Sequence, residues 1–118
     1  MASQCSCGQV KTLNFSCSGG SDVGELTDRL ARRLQNDGKG KMYCLAGLGA
    51  HIPGMIESAR AAEVRLVIDG CPVACGKKIF EQMGLEVSSV NLKDLGFEKG
   101  KTMVNDQVIE AVIARMGL

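Results

Sequence analysis

Three times in this chain a short apolar run ends in a cysteine, crosses a glycine-bearing turn and gives way to a helix, with Cys17, Cys44 and Cys71 at equal intervals of 27 residues. That interval is the length of one strand plus one crossover helix, because parallel strands cannot be joined by a tight hairpin. The intervening sequences differ, so the unit is a βα step and not a solenoid repeat. The chain is thereby confined to a parallel α/β sheet, in which equivalent strand ends lie along one edge. Such a sheet delivers the three cysteines to one rim, and Cys75, one helical turn after Cys71, joins them.

Local signals fill in the elements. Residues Lys11 to Phe15 (KTLNF) read as a first strand, and CSGGSD as the turn after it, with Asp22 as helix N-cap. Val23, Leu26, Leu30 and Leu34 then recur at helical steps, and Asn36, Asp37 and Gly38 stop the helix. Lys41 to Cys44 is a second strand and LAGLGAH a glycine loop, followed by a helix from about Ile52 with Pro53 in its first turn. Ile52, Met55, Ile56 and Ala59 are assigned to its buried face.

Val64 to Cys71 holds the clearest buried strand, Leu66-Val67-Ile68. Pro72 is expected to open the third helix, with Cys71 as its N-cap, Val73, Ile79, Phe80 and Met83 facing inward, and Gly84 as its end. Leu85 to Leu92 reads as a fourth strand without a cysteine at its end, and 93–104 as a connection with room for a short extra strand. Asn105 caps a last helix whose apolar stripe is Val108, Ile109, Val112, Ile113 and Met116. Four alternations of strand and helix, right-handed crossovers and a switch point between strands one and three give a flavodoxin-like half: one three-layer α/β domain with a four-stranded parallel sheet in the order 2-1-3-4 and about four helices. The boundaries are an amino-terminal arm, 1–9, carrying the CxC pair Cys5 and Cys7, and a domain spanning 10–118.

Composition excludes several functions. At 118 residues and 45% apolar content the chain can build its own core, so disulfide staples are not required. Fourteen basic against thirteen acidic residues, a net charge of +1, one Tyr, three Phe and no Trp supply neither an electrostatic footprint nor a stacking platform for nucleic acid. MASQCSCG lacks a signal-type apolar stretch, and no apolar run approaches the roughly 20 residues of a membrane span. The expected setting is a reducing cytoplasm, where six cysteines serve as ligands or reactive thiols.

Clustered thiols at strand ends suit a soft metal. Tetrahedral zinc needs its sulfurs within roughly 4 Å of one another, a little less than the strand spacing of about 4.8 Å, so side chains leaning in from adjacent strand ends close the difference. Free N–H groups beyond the strands and at helix starts offset the negative charge of thiolates. With His51 as the single histidine, any site is thiolate-dominated and favours zinc, cuprous copper or iron–sulfur; ferredoxin spacings are absent. CxxxC between Cys71 and Cys75 is by itself a weak signal.

CSGGSDVGELTDRLARRL, KMYCLAGLG and DGCPVACGKK resemble the DGC-domain family of small prokaryotic proteins, described as zinc-binding, over nearly the whole chain. The Asp-Gly-Cys triplet that names the family corresponds to Asp69, Gly70 and Cys71. The resemblance implies zinc as cofactor, with Cys17, Cys44, Cys71 and Cys75 as ligands, and it implies no particular reaction. Asp69 is expected to shape its turn by accepting backbone N–H bonds.

Other motifs yield less. Position 23, where the phosphatase loop beginning at Cys17 would place arginine, is Val23; Lys77 holds the matching place after Cys71, and neither a Walker lysine nor a GxGxxG follows any strand. Cys5 and Cys7 read as exposed thiols, or as a metal-handing arm, and His51 as a loop residue at the cysteine edge. The leading expectation is a zinc-binding protein for metal handling or regulation, with the metal ion as partner and no nucleic acid or membrane. Because the sheet supplies its own core, the metal is not fold-creating. The alternatives are a thiol redox enzyme or sulfur carrier with Cys71 as nucleophile at a helix start, and an interaction module that dimerises weakly through its last helix.

Overall fold

The computed structural model describes residues 11–117. The arm, with Cys5 and Cys7, lies outside the described residues. The elements run β1 (Thr12–Ser16), α1 (Asp22–Asn36), β2 (Lys41–Met42), α2 (Leu45–Gly49), α3 (Pro53–Ala61), β3 (Val64–Asp69), α4 (Cys75–Met83), β4 (Ser88–Asn91), a 3-10 turn (Leu92–Leu95) and α5 (Asp106–Met116). The four strands form one parallel sheet in the order β2-β1-β3-β4, as the alternation requires.

Side-chain alternation along the strands divides the interior into two cores. Leu13 and Phe15 of β1 and Val67 of β3 face α2, α3 and α4, meeting Leu45, Leu48, Ala59 and Phe80. Phe15 stands edge-on to both Phe80 and Tyr43, with ring centroids 5.0 and 6.0 Å away. Ile68 faces the other way, where α1 presents Val23, Leu26, Leu30 and Leu34 and α5 presents Ile109 and Val112. The apolar stripe of α5 is thus used inside the chain. Arg33 of α1 also reaches Glu110 of α5, at 2.5 Å, and Asp37, at 2.9 Å.

Several boundaries differ from the sequence reading. Ser21, not Asp22, caps α1, accepting the Gly24 N–H at 3.0 Å. β2 pairs with β1 over Lys41 and Met42 only, and LAGLG closes as a helix because Leu45 and Leu48 are both buried. A β-carbon on Gly47 would collide with the Met55 side chain, so this glycine admits α3 against α2 instead of making a loop. Ile52 caps α3 and is exposed. Between β4 and α5 there is a 3-10 turn, and no strand, among the described residues. No described helix is long and apolar enough to cross a membrane.

Candidate functional site

Strand β1 ends at Ser16, and the next amide, Cys17 N–H, still bonds the Ile68 carbonyl of β3 at 3.1 Å. Cys17 is therefore held where the sheet's ladder stops. Its sulfur lies 3.4 Å from the Thr27 hydroxyl of α1. That hydroxyl donates to the Gly24 carbonyl at 2.7 Å and accepts the Ser18 N–H at 3.1 Å, so the sulfur contact is satisfied with Cys17 as a neutral thiol donor. On ionisation, Thr27 must turn its proton from Gly24 to the sulfur.

Cys44 follows β2 as the N-cap of α2 and is exposed. Cys75 is the first residue of α4, and it too is exposed. Cys17, Cys44 and Cys75 line one cavity of about 560 Å3 at the carboxyl edge of the sheet. Its apolar wall includes Tyr43 and Ile79; its polar wall is Ser16, Ser18, Asp28 and Arg32. The polar side chains form a directed chain. Ser18 donates to Asp28 at 2.9 Å, so Ser16 is the donor to Ser18, and Arg32 Nε approaches the other Asp28 oxygen at 2.7 Å. Partial burial pushes the Asp28 carboxyl up, but the hydrogen bonds from Arg32 and Ser18 outweigh it and hold Asp28 below the usual carboxylate range.

Cys71 does not line this cavity. It is half-buried against the second core, and its carbonyl is fixed by Asn91 Nδ2 at 2.8 Å and by the Ala74 N–H at 3.1 Å. The expected helix start at Pro72 is also corrected. Residues 71–74 form a turn, Ala74 adopts the left-handed conformation (φ 53°), and α4 begins at Cys75. Cys71 is therefore not an N-cap, which removes the physical reason for singling it out as a nucleophile, and Val73 is 52% exposed instead of facing inward.

Asp69 supplies the cap that α4 lacks locally. Its carboxylate, 1% exposed, accepts the Gly76 N–H at 2.8 Å and the Lys77 N–H at 3.0 Å. The glycines on either side are needed at close quarters. A β-carbon on Gly76 would sit 2.5 Å from Val67 Cγ2 and 2.9 Å from Asp69 Oδ1, and one on Gly70 would sit 2.8 Å from the Val23 carbonyl oxygen of α1. Asp69 and Gly70 thus lock β3 to α4 and α1. The sequence signal for a buried cap was Asp69 at the end of an apolar run, but its partners lie seven and eight residues on. His51, left-handed (φ 59°) and exposed between α2 and α3, is not part of the cavity lining.

Thiols are the donor type that soft divalent metals take, and three of them, from separate βα turns, line one open cavity beside a polar wall. They do not form a closed coordination shell as they stand, because no three Cys, His, Asp or Glu side chains among the described residues are drawn together closely enough to hold an ion.

A family model described as DGC domain matches residues 13–116, nearly the whole chain. Among curated proteins, the chain is similar to the anaerobic and virulence modulator AnvM of Pseudomonas aeruginosa, 40% identical over 65 residues that cover 55% of this chain and 50% of that protein. The chain thus matches about half the length of this relative. No solved structure matches.

Proposed function

This chain belongs to the DGC-domain family, and on that premise we propose that it is a zinc-binding protein of metal handling or regulation. Cys17, Cys44 and Cys75 form the core of its ligand set, and Cys71 is drawn in from the adjoining turn as the fourth. The observation that carries this reading is the single cavity lined by three thiols that are widely separated in sequence. A regulatory role accords with the word modulator in the name of the relative, and the family assignment accords with zinc.

Bound zinc would supply a redox-inert Lewis-acid centre. The chain's own residues do the rest. Thr27 holds the Cys17 sulfur and can turn to donate to it. Asp69 fixes the first turn of α4 and with it Cys75. Tyr43 and Ile79 keep one wall apolar, and the Ser16–Ser18–Asp28 hydrogen bonds hold the polar wall in place. Uptake of the metal costs the thiols their protons, so affinity rises with pH. The proposed working compartment is a reducing cytoplasm, where thiols persist as metal ligands. The proposed working unit is the domain 10–118.

Elemental mass spectrometry on protein purified under reducing, chelator-free conditions tests the reading. The wild type should carry a single zinc equivalent, and Cys17→Ser, Cys44→Ser and Cys75→Ser should each lose most of it. A wild type that is metal-free and takes up no added zinc sinks the proposal.

A further inference from the structure

At the edge of the sheet opposite the thiols lies a second cavity, of about 820 Å3, within the range of small-molecule sites. It sits beside Lys41 and Val64, the first residues of β2 and β3, and the Gly38 to Gly40 turn after α1 forms one wall. Its floor is apolar. Leu66 is only half-buried and Val64 is 46% exposed, although β3 is an internal strand, which a parallel sheet ordinarily covers on both faces. Its rim is basic: Lys11, Lys39 and Lys41 line it, no acidic residue does, and none of the three is ion-paired among the described residues. Glu63 and Glu86 line an adjoining cleft that shares Val64 and Ser88 with it.

The wall also holds an orphaned acceptor. Asn14 of β1 is wholly buried, and its Nδ2 donates to the Lys39 carbonyl at 3.2 Å, which fixes the way round that the amide stands. Its Oδ1 then has no hydrogen-bond partner in the protein, a costly state for a buried carbonyl oxygen. Gly40 lies against that oxygen, for a β-carbon there would sit 3.2 Å from it. Gly38 and Gly40 are both left-handed (φ 76° and 111°), so the covering segment is flanked by residues that change conformation at little cost.

We propose that this cavity binds a small organic acid: an apolar or aromatic body over Val64 and Leu66, a carboxylate held by the lysines, and a hydroxyl or N–H group that donates to Asn14 Oδ1 as Gly40 moves aside. The site is independent of the zinc reading, since it shares no lining residue with the thiol cavity. Charge disfavours the other occupants at hand. Residues 1–10, MASQCSCGQV, carry no acidic side chain to meet three lysines, and a second copy packed on a two-fold axis would bring the same lysines face to face.

Proton–nitrogen correlation spectra of the full chain, recorded during titration, test the proposal. The probe is 4-hydroxyphenylacetate, which has all three groups; phenylacetate lacks the donor, and 2-(4-hydroxyphenyl)ethanol lacks the charge. The first should bind with a Kd of about 1 mM or tighter, shifting the Asn14 side-chain amide and the Lys39 and Gly40 backbone signals while leaving Cys44 and Cys75 in place. Phenylacetate should bind about fivefold more weakly. Lys39→Gln combined with Lys41→Gln should weaken 4-hydroxyphenylacetate about fivefold and leave 2-(4-hydroxyphenyl)ethanol unchanged. In Asn14→Leu, with folding checked by its thermal midpoint, the two acids should bind equally. No shift at Asn14, Lys39 and Gly40 with any probe at about 10 mM overturns the site. Equal wild-type affinity for the two acids, or indifference to the lysine substitutions, overturns the ligand class. Contacts from residues 1–10 to the Val64 methyls in the ligand-free protein would make the arm the occupant. A mass that doubles with concentration in the wild type and not in Val64→Lys would make it a second copy, and either result overturns the proposal.

Discussion

Helices α1 and α4 both start at the carboxyl edge of the sheet and both border the turns that bear cysteines, yet they begin by different means. α1 is started by its own neighbour: Ser21 caps Gly24 three residues on, and an acidic first turn follows. α4 begins after a left-handed alanine with no side-chain cap of its own, and its first free N–H groups are taken by Asp69, a residue of strand β3. A local cap can form before the sheet does, whereas the α4 cap exists only once β3 and the helix are packed. The thiol at the start of α4, Cys75, is therefore placed by tertiary structure. Cys17, on the last rung of the β1–β3 ladder, is placed by the sheet itself.

Removing the remote cap should do the most damage. Asp69→Ala leaves the buried Gly76 N–H and the part-buried Lys77 N–H without an acceptor and deletes two charge-assisted hydrogen bonds, so unfolding free energy should fall by about 3 kcal/mol. Denaturant unfolding measures the loss, and amide exchange should quicken first at Gly76 and Lys77. Unchanged exchange at those two amides would show that α4 is held by its apolar face alone. Gly76→Ala attacks the same junction from the other side. The added methyl must displace Val67 or the Asp69 carboxylate, and overpacking of this kind costs about 2 kcal/mol. If alanine is accommodated at no cost, the close approach of α4 to β3 is not what fixes Cys75. Ser21→Ala, the counterpart in α1, should cost about 1 kcal/mol and alter exchange only at the first turn of that helix.

The same contrast decides what could be read from the amino acids. The α1 and α5 stripes were legible because each residue's role depends on neighbours three and four positions away, and Asn105 caps α5 as its sequence suggests. The sheet order was legible because crossover handedness leaves few alternatives. LAGLG reads as a loop because glycine content alone cannot distinguish a turn from the helix–helix contact that Gly47 makes with Met55. The sequence places the α4 start at Pro72 because proline is a common first helical residue, while the cap that decides the matter is Asp69, across the turn. That error carried into the site: a helix beginning at Pro72 would aim Cys71 and Cys75 into one space, whereas the extra turn, pinned by Asn91, puts Cys71 against the second core. Spacing along the chain fixed which rim the thiols reach. Which of them share a cavity depends on contacts that only the assembled turn makes.

The smallest expected effect concerns a tie that makes α1 less self-sufficient than its local cap suggests. Asp22, the first residue of α1, accepts N–H bonds from Gly100 at 2.9 Å and Thr102 at 3.0 Å, so it holds the 96–104 connection to the helix start. These two bonds, the Gly100 one foremost, keep its carboxyl below the ordinary value of 3.8. A carboxyl with a lowered folded pKa contributes stability that is fully present above its unfolded value and is lost as pH falls through the folded one. Asp22→Asn should therefore be less stable than the wild type at neutral pH, and the gap between their thermal midpoints should close as the solution is acidified below 3.8. A gap that persists unchanged into acid would mean that the carboxylate's charge contributes nothing, and that α1 stands on Ser21 and its buried leucines alone.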